Sequence, residues 1–266
     1  MHWLIGAVCG AFNGLLGSGG GAIAVFSFDK FLKLEKKKSH ATSIAVMLPL
    51  SIISAFVYLR GGIEWLSIIL ITCGGLVGGF IGANRLKNIS IPWLGRIFGA
   101  VMIFAALRSI TSVMTTATAT ATETAATMQS PIGLAIGAGM TGLGILAGTL
   151  SGMGIGGGAI LIPALTMFFG ISQHNAQSAN LIYFIPTAAI ALITHAKQKR
   201  IEKQILPKIM IAGCITAICG AMLAVRLNAN VLRLIFGVFL LIMGIVEIKK
   251  SFGAKKAKQE TEKSKG

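Results

Sequence analysis

Apolar residues fill most of the chain in long runs, and short polar segments separate the runs. Two of the longest runs cover 63–83 and 205–225. A helix of about 20 apolar residues is long enough to cross the hydrocarbon core of a bilayer. Along the whole chain the pattern predicts ten helical segments, at 3–16, 22–34, 41–59, 65–84, 92–113, 131–150, 159–170, 177–196, 205–225 and 231–249. The sequence therefore predicts an all-α polytopic membrane protein.

Glycine clusters at 17–21 and 154–158 interrupt this pattern, and the four short segments flank them. A Thr/Ala-rich stretch at 111–130 is typical of an exposed linker. The predicted organisation is an N-terminal transmembrane repeat over 1–110, the linker over 111–130, a C-terminal inverted repeat over 131–249 and a Lys-rich cytoplasmic tail over 250–266.

The two halves resemble each other in sequence. Gly-x-Gly-Gly-Gly-Ala-Ile occurs at 17–23 and again at 154–160, which defines a constant offset between the halves. The same offset places Pro49 on Pro186, Ser43 on Asn180 and His40 on Gln177. Two related halves are the usual construction of secondary transporters.

Charge sets the expected orientation of the halves. The chain is 54% hydrophobic and 12% charged, with a net charge of +16. The loops 29–40, 84–96 and 196–208 and the tail 249–266 hold 20 of the 24 Lys and Arg residues, as expected for cytoplasmic segments. Each half is then a glycine-broken helical hairpin plus three transmembrane helices, the second half is inverted and both termini are cytoplasmic. Whether the hairpins cross the membrane or re-enter it stays open.

The two glycine clusters suit the binding of an anion. Consecutive glycines break a helix, and irregular backbone inside a bilayer is tolerated only within protein or beside a wet cavity. The N–H groups at the start of the next helix can bind an anion that approaches the bare backbone. For regularly spaced glycines such as Gly6, Gly10, Gly14, Gly74 and Gly78, the favoured interpretation is tight helix packing.

Neutral polar residues near the breaks complete the candidate site. Because Ser and Thr in membrane helices often bond to their own backbone, a structural role for each stays open. The predicted substrate-binding residues are Asn13, Ser18, Gly19, Gly20, Gly21, Ser43, Ser151, Gly156, Gly157, Gly158, Gln177 and Asn180. None of the eight acids lies at the centre of a predicted span, which argues against a cation as the substrate. We find no catalytic motif or metal-ligand spacing and expect neither an enzyme nor a cofactor.

At these motifs the chain resembles the sulfite exporter TauE/SafE family. The resemblance rests on residues 14–21 (Gly-Leu-Leu-Gly-Ser-Gly-Gly-Gly), on 151–158 (Ser-Gly-Met-Gly-Ile-Gly-Gly-Gly) with Pro163, and on 176–181 (Ala-Gln-Ser-Ala-Asn-Leu). It implies a secondary carrier of sulfite, organosulfonates or carboxylates in the cytoplasmic membrane. Phe26 stands where the second half has Pro163, so the two half-sites are chemically unequal.

The expected function is therefore a secondary transporter of small anions that works by alternating access, with export favoured by the resemblance. The alternatives are a passive anion channel, a proton-coupled uptake carrier and a non-transporting scaffold that uses the Lys-rich tail. The expected partners are a small anionic substrate and the lipid bilayer, with no nucleic acid, and a homodimer is left open.

Overall fold

The computed structural model describes residues 1–17, 20–59, 65–85, 91–118, 134–154 and 156–263. All regular secondary structure in these ranges is helical, which confirms the predicted all-α class. The α-helices are α1 His2–Leu16, α2 Gly20–Lys30, α3 Lys36–Tyr58, α4 Trp65–Arg85, α5 Ile91–Thr118, α6 Leu134–Gly152, α7 Gly158–Phe168, α8 Gln173–Lys197, α9 Leu206–Arg226 and α10 Ala229–Lys263, with a 3₁₀ turn at Lys203–Ile205 before α9.

Each of the ten predicted segments corresponds to one helix, and two helices extend into regions predicted to be linker or tail. Helix α5 continues to Thr118, so the first part of the predicted linker is helical. There the Thr111 hydroxyl donates to the carbonyl oxygens of Leu107 and Arg108 within the helix. Helix α10 continues to Lys263, into the predicted tail.

Among the described residues, six helical stretches are long and apolar enough to cross a membrane, three in each half. They are Lys36–Tyr58, Trp65–Arg85, Gly95–Val113, Gln173–Lys197, Lys203–Arg226 and Ala229–Lys249. Shorter apolar helices occupy His2–Leu16, Ile136–Gly152 and Gly158–Phe168, beside the glycine clusters. The chain is thus a multi-pass membrane protein.

The chain divides into two compact units. The first covers Met1–Leu86 and Glu123–Leu232, and it contains α1–α4 and α6–α9. The second covers Lys87–Thr122 and Arg233–Gly266, which is α5 with most of α10. Within the second unit the helices approach closely at two glycines: a Cβ built on Gly99 would lie 2.9 Å from the Gly244 carbonyl oxygen, and the reverse distance is also 2.9 Å.

Within the first unit, each half packs its first helix against the fourth helix of the other half. Helix α1 lies along α9, and α6 lies along α4. A Cβ on Gly6, Gly10 or Gly14 would overlap the backbone of α9, at Ile209, Gly213 and Ala217 respectively. A Cβ on Gly74, Gly78 or Gly82 would overlap the backbone of α6, at Thr141, Ile145 and Thr149 respectively. These contacts confirm the packing role predicted for the spaced glycines.

Two basic loops meet on one face of the first unit. The Lys38 ammonium lies 3.9 Å from a carboxylate oxygen of Glu202. The backbone N–H of Glu202 also donates to the Thr42 hydroxyl at 3.1 Å. The start of α3 and the loop after α8 therefore lie together.

Candidate functional site

One cavity of the first unit lies where the two glycine-broken regions meet. Its empty space is about 360 Å³, a figure that includes the open space at its mouth. Residues of α1, α3 and α8 and of both breaks line it, namely Asn13, Gly17, Gly21, Ser43, Ile44, Met47, Ser51, Ser151, Gly154, Gly156, Gly157, Gly158, Asn180 and Phe184. None of these lining residues is acidic or basic.

Most of the predicted site residues lie in the wall of this cavity. Those that line it are Asn13, Gly21, Ser43, Ser151, Gly156, Gly157, Gly158 and Asn180. Gly20 and Gln177 are buried outside the lining: a Cβ on Gly20 would lie 2.7 Å from the Cys9 carbonyl oxygen, and Gln177 accepts a 2.8 Å hydrogen bond from the Tyr58 hydroxyl. Ser18 and Gly19 lie outside the described residues.

Two hydrogen bonds join the halves across the cavity. The Ser43 hydroxyl lies 2.8 Å from the His40 carbonyl oxygen, one turn earlier in α3, and 3.1 Å from the carbonyl oxygen of Gly154 in the second break. The Asn180 amide donates to the carbonyl oxygen of Gly17 in the first break at 2.7 Å. The two donors occupy matching positions of the two halves, and so do the two acceptors. Each long helix thus holds the broken segment of the other half.

A second pair of contacts lies farther along the same helices, and each of these contacts stays within one half. Tyr58 and His195 occupy matching positions of the repeat, as do Leu15 and Gly152. The Tyr58 hydroxyl lies 3.3 Å from the Leu15 carbonyl oxygen, and His195 Nε2 lies 2.8 Å from the Gly152 carbonyl oxygen. Helices α3 and α8 therefore also hold the ends of α1 and α6 in place.

The start of α7 differs from the expected row of free N–H donors. The N–H of Gly157 donates to the Ser151 hydroxyl at 3.1 Å. The N–H groups of Ile160 and Leu161 both donate to the Gly157 carbonyl oxygen, at 3.1 and 2.9 Å. Buried backbone donors need partners, and here the protein supplies several of them itself. Several of the backbone N–H groups expected to face a ligand are therefore already bonded within the protein.

Comparison with known proteins identifies the family. The family described as "Sulfite exporter TauE/SafE" matches residues 1–109 and 140–266, most of the chain. The chain belongs to the TauE/SafE family. Two proteins from strains of Xylella fastidiosa, each described as "Probable membrane transporter protein", are 25% identical over 198 residues, which is 73% of this chain and 73% of each relative. No solved structure shows a significant match.

Membership of TauE/SafE makes the chain a membrane transporter of that family. Its cavity also includes Gly17 and Gly154, which belong to the two glycine clusters but were not among the predicted site residues, and four residues outside the clusters, namely Ile44, Met47, Ser51 and Phe184. Helical spacing could have found several of them. Met47 and Ser51 follow Ser43 at steps of four along α3, and Phe184 follows Asn180 by four along α8.

Proposed function

We propose that this TauE/SafE protein exports small sulfur-containing or carboxylate anions across the cytoplasmic membrane, with both termini cytoplasmic, and that the cavity is its substrate site. The observation that carries the proposal is the meeting of the two glycine breaks in one neutral polar cavity. The family description names sulfite export, and sulfite is the first substrate to test.

The polarity of the wall supports an anionic substrate. Asn13 Nδ2 lies 3.4 Å from the Ser51 hydroxyl oxygen, so the proton of Ser51 remains a donor for a ligand. Gly21 and Gly156 leave backbone without side chains on facing parts of the wall, where an oxyanion can approach closely. A cation would find no carboxylate among the described lining residues.

The reciprocal bonds support alternating access by the two halves. Ser43 and Asn180 each hold the break that belongs to the opposite half. Movement of one half relative to the other must therefore change both sides of the cavity together. Exposure of a central site by rocking of related halves is the usual mechanism of such carriers.

Charge supports export as the direction. An inside-negative membrane potential favours loss of an anion by about 2.3 kcal/mol per charge per 100 mV. Exposed lysines at Lys30, Lys33, Lys37, Lys197 and Lys199 lie on the loops proposed to be cytoplasmic, where their field would gather anions before transport. An uptake carrier coupled to protons would need a titratable coupling group, and the described wall contains none.

Counterflow in proteoliposomes tests the proposal. Vesicles loaded with unlabelled sulfite and diluted into labelled sulfite should accumulate label transiently and saturably, and protein-free vesicles should not. Unitary currents without counterflow would instead establish a passive channel. Absence of both counterflow and current for sulfite, organosulfonates and carboxylates would overturn the anion-transport proposal.

A further inference from the structure

The cavity wall contains a buried acceptor that no described residue satisfies. Asn180 is 2% exposed and lines the cavity. Its Nδ2 donates to the Gly17 carbonyl oxygen at 2.7 Å, while its Oδ1 is buried and has no hydrogen-bond partner among the described residues. Leaving such an acceptor unpaired costs free energy, so a ligand that carries a donor is favoured here.

The orientation of this amide is determined by its neighbour. Because a carbonyl oxygen can only accept, the Asn180 atom that faces Gly17 must be the Nδ2 donor. Rotating the amide by half a turn would place two acceptors against each other and break the 2.7 Å bond. The Oδ1 atom is therefore held as an acceptor, and a fully ionised oxyanion cannot satisfy it.

The net charge of the wall leads to the same class of ligand. The lining residues that the structure describes carry no Lys, Arg or His. The Born cost of transfer from water scales with the square of the charge, so a dianion costs about four times as much as a monoanion of similar size. Without a cation to offset this cost, the cavity favours a single negative charge.

We propose that the site selects monoanions that carry a hydrogen-bond donor, and that Asn180 Oδ1 is the specificity-determining atom that receives it. Hydrogensulfite, rather than the sulfite dianion, is then the transported form of sulfite, and hydroxylated sulfonates bind better than alkyl ones. This inference rests on the proposed anion transport by the same cavity.

Two sulfonates of similar size separate the inference from the transport function. 2-Hydroxyethanesulfonate and 1-propanesulfonate are both permanent monoanions near neutral pH, and only the first carries an O–H group. In competition with labelled sulfite counterflow, the hydroxylated compound should inhibit at about tenfold lower concentration, the usual cost of leaving a buried acceptor unpaired. Equal inhibition would overturn the inference while transport stands.

Two further experiments test the inference, one with substituted proteins and one with the pH dependence of KM. Asn180→Ser should bring the inhibition ratio near one, whereas Thr194→Ala, which removes a hydroxyl bonded within α8 to the Ile190 carbonyl oxygen, should keep it. In the wild-type protein, the KM for total sulfite should rise as pH increases through the second pKa of sulfurous acid. The KM for 2-hydroxyethanesulfonate over the same range is the control.

Three further results would overturn the inference. One is a pH-independent KM for sulfite, and another is an unchanged inhibition ratio in a folded Asn180→Ser protein. If neither sulfite nor either sulfonate is carried or bound, the transport proposal fails together with the inference. The wild-type comparison needs no variant, so it decides the question even if Asn180→Ser does not fold.

Discussion

The side-chain amide of Asn180 donates a 2.7 Å hydrogen bond to the carbonyl oxygen of Gly17, although the two residues belong to different halves. Its counterpart joins Ser43 to the Gly154 carbonyl oxygen at 3.1 Å. Both donors are nearly fully buried. These bonds satisfy backbone groups that the glycine breaks leave without helical partners, and they couple the halves at the cavity.

Removing either donor should destabilise the protein. Asn180→Ala and Ser43→Ala each leave a buried carbonyl oxygen without this donor, at a cost of about 1–3 kcal/mol. We expect a lower melting temperature for both variants in detergent, measured by thermal unfolding. Thr194→Ala is the control, because its hydroxyl bonds only within its own helix. Melting temperatures of both variants equal to that of wild type would show that the two bonds contribute nothing to stability.

Gly21 allows the cavity to be narrowed without disturbing its wall. A Cβ there would lie 3.8 Å from Gly156 Cα and 3.9 Å from Met47 Cγ, which are ordinary contacts. Gly21→Ala should therefore keep the wild-type melting temperature while it lowers sulfite flux, because the methyl group occupies cavity space.

The neighbouring Gly20 serves as the comparison for Gly21→Ala, because it is crowded and does not line the cavity. Its Cβ would lie 2.7 Å from the Cys9 carbonyl oxygen and 2.8 Å from Asn13 Cβ, so Gly20→Ala should lower the melting temperature itself. Gly157 is more crowded still, because a Cβ there would overlap the Ala147 carbonyl oxygen. Unchanged flux in Gly21→Ala would contradict the assignment of the site.

The α4–α6 contact offers a matched pair of glycine substitutions. A Cβ on Gly78 would overlap the Ile145 carbonyl oxygen, whereas a Cβ on Gly142 would meet no described atom within 4 Å. Gly78→Ala should cost about 1–3 kcal/mol through overpacking. Gly142→Ala should be neutral or stabilise by up to about 1 kcal/mol through helix propensity. Unfolding in detergent measures both, and equal effects would contradict the close packing of α4 on α6.

Lys33 adopts a backbone conformation that glycine would adopt more easily. Its φ is 50°, and Gly170, which occupies the matching position of the second half, has a φ of 65°. Both residues follow the end of a short helix, where the N–H of the next residue bonds back to that helix. The Leu34 N–H donates to the Phe28 carbonyl oxygen, and the Ile171 N–H donates to the Leu165 carbonyl oxygen. Lys33→Gly should stabilise by about 1 kcal/mol, since the left-handed region costs other residues about that much. A lower melting temperature would show that contacts of the Lys33 side chain outweigh this strain.

Labelling can test whether the basic loops share one side of the membrane. Lys33 and Lys199 are exposed on the two loops that the Lys38–Glu202 contact brings together. Lys33→Cys and Lys199→Cys should react with a membrane-impermeant maleimide from the same side, the cytoplasmic one. A position on the proposed external loop at 227–228, such as Asn228→Cys, should react from the other side. Opposite labelling of positions 33 and 199 would contradict the proposed topology.

The sequence by itself determined the membrane class and the ten helical segments, because hydropathy and glycine placement act over short stretches of chain. Eight of the site residues predicted from the sequence line the cavity, because both glycine clusters lie there. The same local signals could not separate Gly20 from Gly21, because their surroundings differ through residues outside their own helix: Gly20 faces Cys9 and Asn13, and Gly21 faces Gly156.

Only the tertiary structure decided that α1 packs on α9 and α6 on α4, and that Asn180 reaches Gly17. It also decided that Ser151 takes up the N–H of Gly157, a residue that the sequence predicted to bind the substrate. The physical reason is that these contacts join residues far apart in the chain. Their partners depend on how close the helix backbones can approach, and composition and spacing do not contain that information.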